Sequence, residues 1–207
     1  MTFESWLIFA TIWIAATLPL GPNALNCVAI SAVQGFRSSL WSAIGTLLAA
    51  GIHMIIAVSG IAAFIAANPA LFDVLRWIGV AYLAWMGLTL LLARGTLKAQ
   101  QVRQRRSALQ QIRRAVLISL SNPKAIFGWL AIFTQFIDAG APLWPQLMIL
   151  APTSLSIVLF VYVGYCALGA SVNRLLADRR KIWIDRIAGS TYLAFALGLA
   201  VSGLRRS

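Results

Sequence analysis

Three small groups of residues in this chain can bind or move charge from within otherwise apolar sequence. Pro19-Leu20-Gly21-Pro22-Asn23 interrupts the apolar run 6–33, and Asn122-Pro123-Lys124 interrupts the run 115–137 at an equivalent place in the second half. His53, the only histidine, lies in the middle of the run 41–67. Each proline removes a backbone donor and frees the carbonyl four residues earlier, while Gly21 lets backbone approach closely. Asn23 and Asn122 each add an amide with two donors and an acceptor. Unwound backbone with exposed helix ends supplies further donors and acceptors. Together they suit a small solute carrying both a carboxylate and an ammonium. The competing reading is that the prolines merely kink helices for packing. One break fits that reading; two in register, each with an asparagine, fit it poorly.

The elements that hold these residues are membrane helices. Sixty per cent of the residues are hydrophobic and only 11% are charged, against about a quarter charged in a soluble domain. Six apolar runs are present: 6–33, 41–67, 71–93, 115–137, 144–172 and 184–204. Each reaches the roughly 20 residues that a helix rising ~1.5 Å per residue needs to cross ~30 Å of hydrocarbon. The expected fold is an all-α integral membrane protein with six transmembrane helices. Hydrocarbon cannot satisfy a freed backbone group, so breaks at membrane depth belong where protein or a watery cavity does so. Asn122 follows Arg114 by eight residues, about 12 Å of helix from the inner interface, and Pro22 follows Trp6 by sixteen, about 24 Å from the outer one. Both breaks then fall in the inner half of the bilayer, toward the midplane, as candidates to face each other.

The net charge of +12 suggests nucleic acid as a partner, but its distribution argues for topology instead. Thirteen of the 17 Lys and Arg fall after spans one, three and five, and only Arg76, Arg205 and Arg206 on the other side, with Lys124 inside a span. The basic side is cytoplasmic by the positive-inside bias, which places both termini outside. Glu4 precedes the first run and no basic residue does, so that run reads as a retained helix rather than a secretory signal. Trp6, Trp77, Trp144, Trp41 and Trp183 sit at span starts as an aromatic belt requires, whereas Trp13, Trp85 and Trp129 lie deeper, where packing is expected. Cys27 and Cys166 fall within spans, with no framework of bridges and no metal-ligand spacing, and are expected to pack.

The third and sixth spans repeat each other. Arg76, Gly79, Tyr82, Leu83 and Ala84 match Arg186, Gly189, Tyr192, Leu193 and Ala194 in one register. Three spans per half force the halves into opposite orientation, a 3+3 inverted-topology repeat. The expected organisation is a first three-helix repeat over 1–93, a basic cytoplasmic linker over 94–114 and a second repeat over 115–207. The linker reads either as a surface helix on the anionic leaflet or as a solvated loop.

Leu20-Gly21-Pro22-Asn23, the run from Gly45 to His53, Gly79-Val-Ala-Tyr82-Leu83, and Asn122-Pro123-Lys124-Ala125 followed by Phe133-Thr134-Gln135-Phe136-Ile137-Asp138 resemble the signature of the LysE/RhtB-type amino-acid exporters. The resemblance covers most of the chain and implies a multi-pass protein of the bacterial inner membrane. It further implies efflux of amino acids or their derivatives, driven by an ion gradient. It carries Gly21, Pro22, Asn23, Asn122, Pro123 and Lys124 over as the substrate pathway. Two positions depart from the family pattern. Members often read Thr-Pro-Gly-Pro where this chain has Pro19-Leu20-Gly21-Pro22, and often carry an acidic residue where it has Ala50.

Lys124 is the only basic residue well inside a span; it either meets a substrate carboxylate or snorkels to the inner headgroups. His53 either packs or carries a coupling proton, since no carboxylate lies inside any span. Asp138, at the outer end of span four, is a surface residue and a candidate partner for Arg76. Pro152, Thr153, Ser154 and Ser156 form a third kinked polar patch in span five. The expected partners are an amino-acid solute, a coupling ion (a proton first), membrane lipid and, as an alternative to the monomer, a second copy in a homo-oligomer. Neither nucleic acid nor any cofactor or metal is expected, and no residue is assigned to catalysis. An intramembrane enzyme lacks paired carboxylates, a nucleophile–histidine arrangement or a metal cluster in the spans. A non-transporting scaffold subunit needs no matched breaks. A channel is the closer alternative, because broken helices also line filters. No G-x-x-x-x-G-K-[ST] loop is present to support direct ATP drive.

Overall fold

A computed structural model describes residues 2–67, 69–92 and 106–169, with scattered positions between 186 and 200; the side chains of 64–73, 75, 76, 86, 90, 123 and 124 lie outside that description. The described residues form seven helices and no strand: α1 Phe3–Thr17, α2 Pro22–Gln34, α3 Phe36–Ala67, α4 Pro69–Leu91, α5 Ala108–Leu120, α6 Pro123–Phe136 and α7 Leu143–Leu168. Within α3, Phe36–Ala63 is long and apolar enough to cross a membrane, and so is α7. The pair α1 and α2 passes the same test as one crossing bent by 63°, and α5 with α6 as one bent by 65°. The described chain thus holds two straight candidate crossings, or four with each bent pair counted once. α4 carries a shorter apolar stretch over Trp77–Thr89. Most of the expected sixth span, with Trp183, Gly189 and Tyr192, lies outside the described residues, as do linker residues 93–105.

Local sequence explains where the helices start and stop. Thr2 caps α1 by accepting the amide of Ser5, with Glu4 favourably placed in the positive first turn. Pro22 opens α2 at its first position, where a missing N–H costs nothing. Gly35 separates α2 from α3 at φ 83°, a left-handed conformation that favours glycine. Ser107 and Gln110 form a capping box that starts α5. That box carries the helix back through Arg113 and Arg114, so residues 108–114, read from sequence as the end of the linker, are the first turns of α5. Gln111, within the segment read as a surface helix or a solvated loop, is fully buried. Its Nε2 donates to Ser38 Oγ at 2.9 Å and to the Arg106 carbonyl at 3.2 Å, tying α5 to α3.

α3 runs through the bundle and packs against α2, α4, α5, α6 and α7. Helices in lipid gain little from hydrophobic burial against one another, so close contact through small residues matters. A Cβ at Gly45 would lie 2.6 Å from the Ile112 carbonyl oxygen, and one at Gly79 3.1 Å from that of Ala131. These glycines seat α3 on α5 and α4 on α6. An aromatic cluster joins α1 to α6: Trp13 meets Trp129 edge-on at 4.4 Å, and Phe9 meets Phe133 edge-on at 5.9 Å. Edge-on pairs of this kind contribute ~0.5–1.5 kcal/mol each beyond burial. Trp13 and Trp129 therefore pack as expected. Trp85 does not; it is 57% exposed and lies beside Tyr82. A second cluster holds Leu20, Ala24, Cys27 and Val28 of the first broken span with Ala43, Tyr165 and Cys166. The two cysteines, far apart in sequence, share that cluster as free buried thiols, and Cys166 Sγ donates to the Ser39 carbonyl at 3.3 Å.

Candidate functional site

Pro22 leaves the carbonyl of Leu18 without its helical donor. The Tyr165 hydroxyl, from α7, donates to that carbonyl. Between α1 and α2 the chain runs through four non-helical residues, 18–21, and Gly21 is extended at φ −93° and ψ −179° with no side-chain cap on the helix it precedes. The last carbonyls of α1 and the first-turn N–H groups of α2 thus flank this four-residue break. The α2 clamp is completed at its other end, where Ser31 Oγ donates to the Cys166 carbonyl at 2.6 Å and Gly169 packs against Ser31.

The second break is tighter. Only Ser121 and Asn122 are non-helical, and the carbonyl freed by Pro123, that of Ser119, accepts the backbone N–H of Asn122 at 3.0 Å. Asn122 in turn starts α6, its carbonyl accepting from Ala125 N at 2.9 Å. Its side chain is half-buried. Pro123 and Lys124 begin α6, and their side chains lie outside the described residues.

The two broken spans touch at two places. The Trp13–Trp129 cluster joins α1 to α6, and Arg114 Nε, from α5, donates to Asn26 Oδ1 on α2 at 3.1 Å. Asn23 and Asn26 belong to a buried polar stripe on α2 that continues through Cys27 and Ser31. Among the described residues, Asn23 Oδ1 and Asn26 Nδ2 are buried without a hydrogen-bond partner. The Asn26–Arg114 contact was not anticipated from the sequence. The i, i+3 pair of asparagines on an apolar helix was the available signal. Arg114 was read as one more topogenic charge. Near it, burial and then the like charge of Arg114 hold Arg106 below the usual guanidinium range.

His53 is 1% exposed, and its Nε2 has no hydrogen-bond partner among the described residues. It lies one turn from Ala50 and from Ala57, both members of the aromatic-centred core with Phe9, Trp13, Trp129 and Phe133. Ala50 thus takes a packing position. In the third polar patch, Ser154 is buried and bonded to the Ala151 carbonyl, Thr153 accepts from Trp6 Nε1 at 3.0 Å, and Ser156 is exposed. Asp138 is an exposed turn residue whose Oδ1 accepts from Gly140 N at 2.9 Å; the side chain of its candidate partner Arg76 lies outside the described residues.

A membrane protein with two broken spans, buried amides at one break and a core histidine has the parts of a solute carrier. A family profile for LysE type translocators matches residues 14–203, and the chain belongs to that family. It is 31% identical over 98% of its length to an uncharacterised membrane protein of Vibrio cholerae, covering 99% of that protein. It is 30% identical to a homoserine/homoserine lactone efflux protein of Salmonella typhimurium, covering 97% of this chain and 98% of the relative. It is 32% identical to a leucine efflux protein of Salmonella choleraesuis over 87% of each chain. No solved structure matches.

Proposed function

We propose that the chain is a secondary exporter of an amino acid across the bacterial inner membrane, driven by a proton or other ion gradient. The observation that carries this reading is the pair of broken helices, bent by 63° and 65° at equivalent places in the two halves of a translocator-family chain. The names of the relatives point to a small neutral amino acid such as leucine or homoserine. Six crossings in a 3+3 inverted repeat, with halves 1–93 and 115–207 joined by the basic segment 94–114, complete the proposed architecture. The contact pattern supports it: α1 meets α6, α2 meets α5, and α3 meets α7. An axis exchanging the halves maps the first of these contacts onto the second and the third onto itself.

In this reading Gly21, Pro22 and Asn23 form one side of the substrate pathway and Asn122, Pro123 and Lys124 the other. His53 is the proposed proton carrier. Expression in a strain lacking its own exporters tests the function directly: leucine or homoserine accumulates outside, the flux saturates, and it follows an imposed ion gradient. Flux that neither saturates nor follows a gradient points to a channel, and no flux at all to a scaffold. Topology is tested by single cysteines in a variant lacking Cys27 and Cys166. One at Gln104 is shielded from impermeant thiol reagents in whole cells, and one at Gly140 reacts; the reverse pattern contradicts the proposed orientation.

A further inference from the structure

The buried face of α2 holds more polar chemistry than a helix break requires. Asn23 and Asn26 are three residues apart, so their side chains share one face of the helix, ~4.5 Å apart along its axis. They are 7% and 1% exposed. The bond from Arg114 Nε fixes the Asn26 amide with Oδ1 toward the guanidinium, which turns Nδ2 away from it. Among the described residues, that Nδ2 is an unmatched buried donor and Asn23 Oδ1 an unmatched buried acceptor. Such groups are few in native proteins and call for an explanation. At membrane depth they are costlier still, because hydrocarbon offers no substitute partner.

A carboxylate accepts and an ammonium donates, so an unmatched donor and an unmatched acceptor one turn apart complement the two charged groups on the α-carbon of an amino acid. We infer that Asn26 Nδ2 receives the substrate carboxylate and Asn23 Oδ1 its ammonium, with Arg114 as the positioning residue that orients the Asn26 amide. The last carbonyls of α1, across the break from Asn23, add acceptors on the ammonium side. The positive charge of Arg114 draws the anionic end toward α5. This assignment rests on the reading of the first break as the substrate pathway. It adds two residues, Asn26 and Arg114, and a direction for the bound molecule.

The test is competition against exchange of labelled substrate in proteoliposomes. With leucine as substrate, the competitors are leucinamide, which lacks the carboxylate, and 4-methylpentanoate, which lacks the ammonium. With homoserine they are homoserinamide and 4-hydroxybutanoate. Asn26→Ala weakens the amino acid and the amine-free acid by about tenfold or more, the scale of a hydrogen bond to a charged group, and leaves the amide unchanged. Asn23→Ala does the reverse: the amino acid and its amide weaken while the amine-free acid holds. Arg114→Lys keeps the charge but not the Nε bond, and reproduces the Asn26→Ala pattern in weaker form. If an alanine variant is lost from the membrane, Asn26→Ser or Asn23→Ser is scored by the same ratios. Wild-type ratios, equal weakening of all three compounds, or the opposite pattern overturns the assignment. Wild-type protein that exchanges no amino acid overturns the pathway reading and the assignment with it.

Discussion

The two helix breaks bend by nearly the same angle, 63° and 65°, but they are held in different ways. The first spreads over four residues, and its freed Leu18 carbonyl depends on the Tyr165 hydroxyl of α7, 147 positions away in sequence. The second spans two residues, and its freed Ser119 carbonyl is matched locally by Asn122 N. A break satisfied by a distant helix changes when that helix moves, whereas one satisfied by its own backbone is a fixed elbow. The unmatched amide atoms Asn23 Oδ1 and Asn26 Nδ2 accompany the first. Similar sequence punctuation in two halves therefore builds two sites of different mechanical character. The first break is the one suited to change with the transport cycle.

Five substitutions probe how each break is held, taken in order of decreasing expected effect. His53 lies in neither break, and if it carries the coupling proton, His53→Gln loses pH-gradient-driven accumulation in proteoliposomes altogether while retaining exchange between equal pools. Accumulation that still follows the pH gradient makes His53 a packing residue and returns coupling to the breaks. Tyr165→Phe removes the hydroxyl from the part-buried Leu18 carbonyl, at a cost of about 1 kcal/mol. The expected readout is a lower thermal midpoint in detergent together with slower export. An unchanged midpoint shows that the first break, like the second, supports itself.

Overpacking compares the clamps on the two spans. Gly45→Ala sets a methyl 2.6 Å from the Ile112 carbonyl oxygen at the α3–α5 contact. Gly169→Ala drives one into Ser31 and to 3.0 Å from the Val28 carbonyl oxygen beside α2. Each is expected to destabilise by ~1–3 kcal/mol, seen as a lower thermal midpoint. If the first broken span is the mobile one, Gly169→Ala also slows transport more than Gly45→Ala does. The smallest effect is expected at Gly51, where a Cβ meets nothing within 4 Å. Gly51→Ala is neutral or stabilising by up to ~1 kcal/mol through helix propensity, and loss of stability there would show a neighbour that the packing lacks.

The breaks were legible in the sequence because proline, glycine and asparagine act on the backbone beside them, and residue type alone states that effect. The start of α5 was legible in principle from Ser107 and Gln110, but the charge of Arg113 and Arg114 masked the capping box. What satisfies each break was not legible. Tyr165 reaches Leu18, Arg114 reaches Asn26 and Gln111 reaches Ser38 across contacts whose partners lie 147, 88 and 73 positions apart. Sequence spacing fixes neighbours along one helix, whereas these pairings depend on how helices cross. The exposed Trp85 was misread for the same reason: depth along a span does not say which way a side chain faces.

In the proposed mechanism the two breaks form the route of an exported amino acid. That route is tested most directly by measuring leucine and homoserine efflux from an exporter-deficient strain carrying wild type, Asn23→Ala or Asn122→Ala, at matched abundance in the membrane. Efflux from the wild type, reduced about tenfold or more in each variant, is the predicted result. Wild-type rates in both variants would contradict the mechanism and leave the two breaks as structural kinks.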